Sequence, residues 1–416
     1  MTLIALYTVF FGCWALENYR KCGFNLSVFL IMLYCLGSIC CLCIAGFYPE
    51  YIKFPERITF GSVASHILLL WLFMYPLIKY GNTFDLDDFD IDVSRLDAFA
   101  WCVAIPAVLS MIASSFDVAQ IFLYSDFLAA RKAFLAGDIS NIYMDKYGAF
   151  GYVLSLGPQL SWIATFLFYY YYFYLDRRDL LTWLLLASTL SIAVNNLAIA
   201  GRDGFVRWIF FMLAGFILMR RYIDFRAHRK TFIAIGIVLI VVLIGFMSIT
   251  IDRFENSRYG TFFSLLRYGG EQFFLYSYGY ERFFDAGYDT VGSLFPSITR
   301  EDVDMYFLNK RVKADFFLNT FPTFVGSFVR RVGFFNTVAI GVGAFIFFFL
   351  SFWKRGPLSR ITLTRAVGYL FYYEFMLLGF FYYMHGGRFT QYTIIFYLLL
   401  AFCFSHFTFR SNRYRI

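Results

Sequence analysis

Hydrophobic residues in this chain fall in consecutive runs rather than in alternation, at 3–16, 25–47, 59–80, 98–116, 151–175, 181–200, 205–219, 231–249, 333–353, 366–384 and 392–409. Runs of this length cross a bilayer as α-helices, because in hydrocarbon each segment must pair its own backbone N–H and C=O groups. The pattern predicts an all-α, polytopic integral membrane protein with about eleven transmembrane helices (ten to twelve), forming one transmembrane domain over 1–416. A β-barrel would alternate in polarity and is excluded. The first run is short, but no small-residue cleavage site precedes Glu17, so it reads as a membrane helix rather than a removed leader.

Two polar stretches interrupt the runs. The segment 117–148 is expected to be an outer loop carrying an interfacial amphipathic helix from Asp126 to Ala136. The segment 250–332 is expected to be a large helical extracytoplasmic loop before the third-last helix, capping an active site. It interleaves Arg253, Arg258, Arg267, Arg282, Arg300, Arg311, Arg330 and Arg331 with Phe, Tyr and Gly. Guanidinium forks bind phosphate bidentately, and aromatic faces stack on sugars or lipids.

Charge sets the orientation. Arg220, Arg221, Arg226, Arg229 and Lys230 crowd one short connection, Lys354, Arg355, Arg360 and Arg365 another, and Arg410, Arg413 and Arg415 follow the last run. With Arg20, Lys21, Lys79, Arg95, Arg177 and Arg178 they outnumber the basic residues of the opposite short loops, which places the C-terminus in the cytoplasm and the N-terminus and the 250–332 segment outside. Composition agrees: 60% hydrophobic, 15% charged and 23% aromatic residues, with a mean hydropathy of +0.63, exclude an ordinary soluble domain. In such a chain a net charge of +8 reflects topology and does not imply nucleic acid. Eight cysteines are scattered mainly inside apolar runs, and the cluster Cys35, Cys40, Cys41 and Cys43 is joined by no His or acid and reads as buried thiols rather than a metal centre.

Candidate chemistry lies in the outer turns. Gly201-Arg202-Asp203-Gly204 is a tight turn between two apolar runs, either a hairpin cap or an anion-binding turn at membrane depth. Asn195 and Asn196 just before it could serve the same cavity or glue helices together. His385 with Arg388 sits at an outer helix mouth, where histidine can move a proton or simply anchor an interface. Glu281 and Asp285 are four apart and would share a helical face, as a general base if buried or as counter-charges if not. Tyr278 and Tyr280 flank them. Arg330-Arg331 enters the next apolar run and reads as an interface pair. The acidic run at 85–92 resembles the metal-holding acids of many glycosyltransferases, but it sits in a short cytoplasmic loop and reads as solvated. No P-loop, dinucleotide fingerprint, serine elbow or zincin helix is present.

The chain resembles the Wzy-type oligosaccharide repeat-unit (O-antigen or capsule) polymerases, membrane glycosyltransferases of the C type. The resemblance rests on the number of spans, the Gly-Arg turn at 201–204 and the Arg/Tyr-rich penultimate outer loop, followed by Asn319-Thr320-Phe321-Pro322-Thr323-Phe324 and Gly333. It departs where Arg330-Arg331-Val332 replaces the acidic residue usual before that glycine. The resemblance implies an inner-membrane enzyme that joins undecaprenyl-diphosphate-linked oligosaccharides at the periplasmic face, without nucleotide, metal or other cofactor, beside a flippase and a chain-length regulator. It would place Arg202, Asp203, Arg258, Arg267, Arg282, Arg388, Tyr278 and Tyr280 on the substrate, and His385, Glu281 or Asp285 at the acceptor proton. An O-antigen ligase shares this architecture. A lipid-linked oligosaccharide flippase or transporter would show internal repeats and midplane charges instead.

Overall fold

The computed structural model describes residues 1–82, 89, 91–124, 147–148, 150–198, 201, 203–224, 228–229, 233, 235–237, 240, 260–299, 322–352 and 361–406. Among them the regular elements are helices, with one isolated bridge between Phe89 and Ile361. The longer ones are α1 (Thr2–Cys22), α2 (Leu26–Phe47), α3 (Phe60–Gly81), α4 (Val93–Tyr124), α5 (Phe150–Tyr169), α6 (Leu180–Thr189), α7 (Ser191–Ala198), α8 (Asp203–Met219), α9 (Gly260–Arg282), α10 (Thr323–Val332), α11 (Phe334–Phe352), α12 (Leu363–Leu378) and α13 (Arg388–His406). Among the described residues, α2, α3, Val93–Ala119 of α4, Phe334–Ser351 of α11 and α13 are long and apolar enough to cross a membrane. The pair α6 and α7, bent by 40°, is a sixth candidate. The protein is therefore helical, with several helices suited to a bilayer.

The expected apolar runs fall on helices, except 231–249, which lies largely outside the described residues along with the amphipathic stretch at 126–136 and most of the acidic run at 85–92. Two runs differ in detail. The run 181–200 breaks at Leu190, where the Ser161 hydroxyl takes the Ile192 amide at 3.1 Å and Ser191 donates to the Gly157 carbonyl at 2.8 Å. Side chains that bind helix backbone groups in this way bend the helix. The run 366–384 stops being helical at Leu378, because the carbonyls of Gly379 and Phe381 turn to accept the amides of Phe324 and Thr323.

The chain forms two compact units, and two of the divisions between them fall inside α12 and α13. The first comprises Met1–Phe84, Asp224–Trp353 and Tyr372–Gln391. Here Asn25 caps α2 by accepting the Val28 amide at 3.0 Å, and an Asn25–Asn82–Asn18 ladder at 2.9 Å per rung ties α1, α2 and α3 together at one end. At the other end Thr59 and Ser62 form the capping box that starts α3. The helix α9 lies against the middle of α2 rather than over its end. An added Cβ at Gly270 would stand 2.4 Å from the Cys41 amide nitrogen, and one at Gly37 would stand 2.8 Å from the Gly269 carbonyl oxygen. Only glycine permits two backbones so close. The expected outer loop is thus, over 260–282, a helix packed among apolar helices.

The second unit comprises Asp85–Ile223, Lys354–Phe371 and Tyr392–Ile416. In it α4 packs on α5, α6 and α7, and α5 ends in a wide π turn, Tyr170–Tyr174. Trp162 Nε1 donates to the Leu370 carbonyl at 2.8 Å, and Asp97 accepts from both Tyr171 and Arg177 at 2.6 Å.

Candidate functional site

The polar centre of the first unit is built where α10 slides under α9. In α10 the residues Phe324, Val325, Phe328, Val329 and Val332 are buried, which leaves Arg330 no route to solvent. Arg330 is 1% exposed. Its Nη2 donates to the Leu275 carbonyl at 2.9 Å, and its side chain crosses Gly279, where a Cβ would stand 3.0 Å from Cγ and Nε. The glycine in α9 admits the arginine. Burial pulls the guanidinium down to about 10, so it keeps its charge at neutral pH.

The buried acid whose charge it senses is Glu271, 5% exposed on α9. Tyr51 donates its hydroxyl to Glu271 Oε2 at 2.8 Å, and Arg267 Nε lies 3.4 Å from the same oxygen. Burial raises the carboxyl above its ordinary range, opposed by Arg267, the Tyr51 hydrogen bond and Arg330. Desolvation thus outweighs attraction at Glu271 and at Arg330, whereas Arg267, the ion-pair partner of Glu271, is raised despite its burial. The Tyr51 phenol is raised in turn, by burial first and Glu271 second, and remains a donor.

Arg331 faces the other edge of α10. The chain from Gly287 returns along this helix end, with the amides of Tyr288 and Asp289 on the carbonyls of Arg330 and Arg331 at 3.1 and 2.8 Å. Arg331 Nη1 donates to the Ser293 carbonyl at 3.2 Å, and its guanidinium lies 5.8 Å from the Tyr383 ring centre. Burial raises the Tyr288 phenol while Arg331, hydrogen-bonded to it, pulls it back. The turn Met384–Gly386 is adjacent: a Cβ on Gly386 would meet Arg331 Nη1 at 3.5 Å. Gln391 holds this turn by donating to the carbonyls of Leu294 and His385 at 2.7 and 3.1 Å. His385 itself is buried, edge-on to Phe375 at 5.5 Å.

The structure thus brings Arg267, Tyr278 and His385 into one unit around α9 and α10. Tyr278 accepts the Phe54 amide at 3.4 Å, its phenol pushed up to about 12 by burial. Tyr280 packs on Tyr276, Phe284 and Phe334. Arg388 opens α13 and is half-buried. Arg202 and Arg258 lie outside the described residues. Asp203 belongs to the second unit, where it pairs with Arg207 at 2.6 Å.

Two expectations need correction. Glu281 and Asp285 do not share a helical face, because α9 ends at Arg282, and both are exposed, as is Arg282. Glu281 instead accepts from the Thr59 hydroxyl at 3.0 Å. Arg330 is no interface anchor but among the largest fully buried side chains described. Glu271 and Tyr51 were not foreseen. The available signal was Arg267 four residues before Glu271, just after Gly269-Gly270.

Among the described residues no group of His, Cys, Asp and Glu is placed to hold a metal, and the eight cysteines are free thiols. No protein-family model, curated protein or solved structure matches this chain.

Proposed function

We propose that this protein is a membrane glycosyltransferase that polymerises undecaprenyl-diphosphate-linked oligosaccharide units at the outer face of the bacterial inner membrane, through an eleven-span topology with a cytoplasmic C-terminus. The observation that carries this reading is the pair Arg330 and Arg331 at one end of α10, beside the His385 turn and beneath an aromatic-rich helix. Charge held inside an apolar bundle is costly, and in membrane proteins it marks a substrate or ion path.

In this reading a hydroxyl of one glycan unit attacks the anomeric carbon of another chain. The bond from that carbon to the diphosphate oxygen breaks, and undecaprenyl diphosphate leaves with the electron pair. Arg331, with Arg267 and Arg388, offsets the negative charge that develops on the diphosphate. Arg330 sits deeper and sets the field behind them. The proton of the attacking hydroxyl passes to His385, or to Glu271, which takes the place first given to Glu281 and Asp285. The exposed tyrosine and phenylalanine faces suit sugar rings and the first isoprene units, and a flippase and a chain-length regulator would act beside the enzyme.

The test is a glycan ladder in cells carrying Arg331→Ala, Glu281→Ala or Asp285→Ala in place of the native chain. Arg331→Ala is expected to accumulate in the membrane yet lower chain elongation about a hundredfold, as loss of a transition-state contact does, leaving single repeat units on the lipid anchor. The two acid variants should give normal ladders. A normal ladder from Arg331→Ala would sink the proposal, and complete loss of even single units would favour a flippase or ligase.

A further inference from the structure

Thr323 holds a left-handed backbone, φ 64°, where the chain enters α10. A β-branched residue is strained there, and such strain persists only where neighbours over-determine it. The Thr323 amide donates to the Phe381 carbonyl at 3.0 Å, and the Phe324 amide to Gly379 at 2.8 Å. The Thr323 hydroxyl donates to the Pro322 carbonyl at 2.5 Å and accepts the Gly326 amide at 3.4 Å. Its oxygen also lies 3.0 Å from His66 Nε2. Because the hydroxyl proton is already committed, Nε2 must donate, and Nδ1 accepts from the Tyr7 hydroxyl at 3.4 Å.

His66 is fully buried in α3, stacked on Tyr276 at 3.9 Å and edge-on to Phe273, both on α9. One imidazole therefore touches α1, α9 and the first residue of α10. Seven residues further along α10 is Arg330, whose side chain must pass over Gly279. A helix this short does not hold itself in place.

We propose that His66 is a positioning residue: through Thr323 it latches the strained entrance of α10 and so fixes Arg330 beneath α9. The latch holds whatever the substrate is, so the transferase reading can fail while the latch stands.

The experiment uses the full-length protein in detergent micelles. It follows phenylglyoxal modification of Arg330 by mass spectrometry, together with amide hydrogen exchange over 323–332. Native Arg330 should be protected. His66→Phe should make modification and exchange about tenfold faster, the signature of local opening. Thr323→Gly added to His66→Phe should restore protection, because glycine adopts a positive φ without a latch. A histidine that merely fills the core would not be rescued at residue 323. Should His66→Phe not accumulate, the pair Thr323→Val and Thr323→Gly decides: the first keeps the strain and loses the hydroxyl and should open, while the second should stay closed. Native protection in His66→Phe or Thr323→Val, or a double variant as open as His66→Phe, overturns the latch.

Discussion

Helices α9 and α11 belong to the same unit and differ in the opposite sense to a soluble protein. Apolar α11 buries only 11% of its most hydrophobic window and points Phe335, Ile346, Phe347 and Leu350 outward. In contrast α9 carries Arg267, Glu271, Gln272 and several tyrosines, yet Glu271, Gln272, Tyr276, Ser277 and Tyr278 are buried. Lipid is as apolar as leucine, so an apolar face gains little by turning inward, whereas a polar face finds partners only among other helices. Burial here follows the need for partners, not hydrophobicity.

The contrast can be broken at four points, in order of expected effect. Arg330→Met leaves the buried Leu275 carbonyl without its charged donor and removes a cation that Glu271 senses, and should cost ~3 kcal/mol or more. Thermal unfolding in detergent measures it, and the double variant Arg330→Met/Glu271→Gln should recover much of the loss; a simple sum of the two single effects would mean the residues are not coupled. Gly270→Leu must force α9 away from the Cys41 backbone and should cost about 3 kcal/mol, whereas Gly343→Leu on α11, with open space around its Cβ, should unfold as the native chain does.

Glu271→Gln tests the third point through pH. Because burial raises the folded carboxyl above its unfolded value of 4.5, its contribution to stability is fully present below that value and is lost as pH rises through the folded value. The native chain should therefore weaken relative to the Gln variant as pH increases from about 4 towards neutrality, and parallel unfolding curves across that window would show that the carboxyl is not desolvated. Phe347→Ala, at a side chain 64% exposed, should change unfolding by no more than ~0.5 kcal/mol, the range for surface positions. A larger loss there would mean that α11 packs against protein rather than lipid.

Most helix positions were readable from the apolar runs because a bilayer demands long uninterrupted stretches, but α9 and α10 lie in the polar insert between two of them. The break at Leu190 was not readable, since it depends on Ser161 reaching across from another helix. Among candidate site residues, His385 was recognisable as an ionisable group at the mouth of an apolar run, and Arg267 as one of the arginines of the polar insert. Their roles relative to Arg330 were not, because a dibasic pair before an apolar run looks the same whether it snorkels or is buried.

By itself the sequence determined that this is a helical membrane protein, where most of its helices lie, and that arginine and aromatic residues concentrate in one long insert. These follow from local composition and from backbone pairing within each helix. Only the tertiary structure decided that described residues of this insert pack against the middle of α2, that Glu271 is buried while Glu281 and Asp285 are exposed, and that Arg330 points inward across Gly279. Each depends on which distant segment offers a glycine gap, a carbonyl or a phenol at a given point, and that information is held by the packing of helices rather than by any one of them.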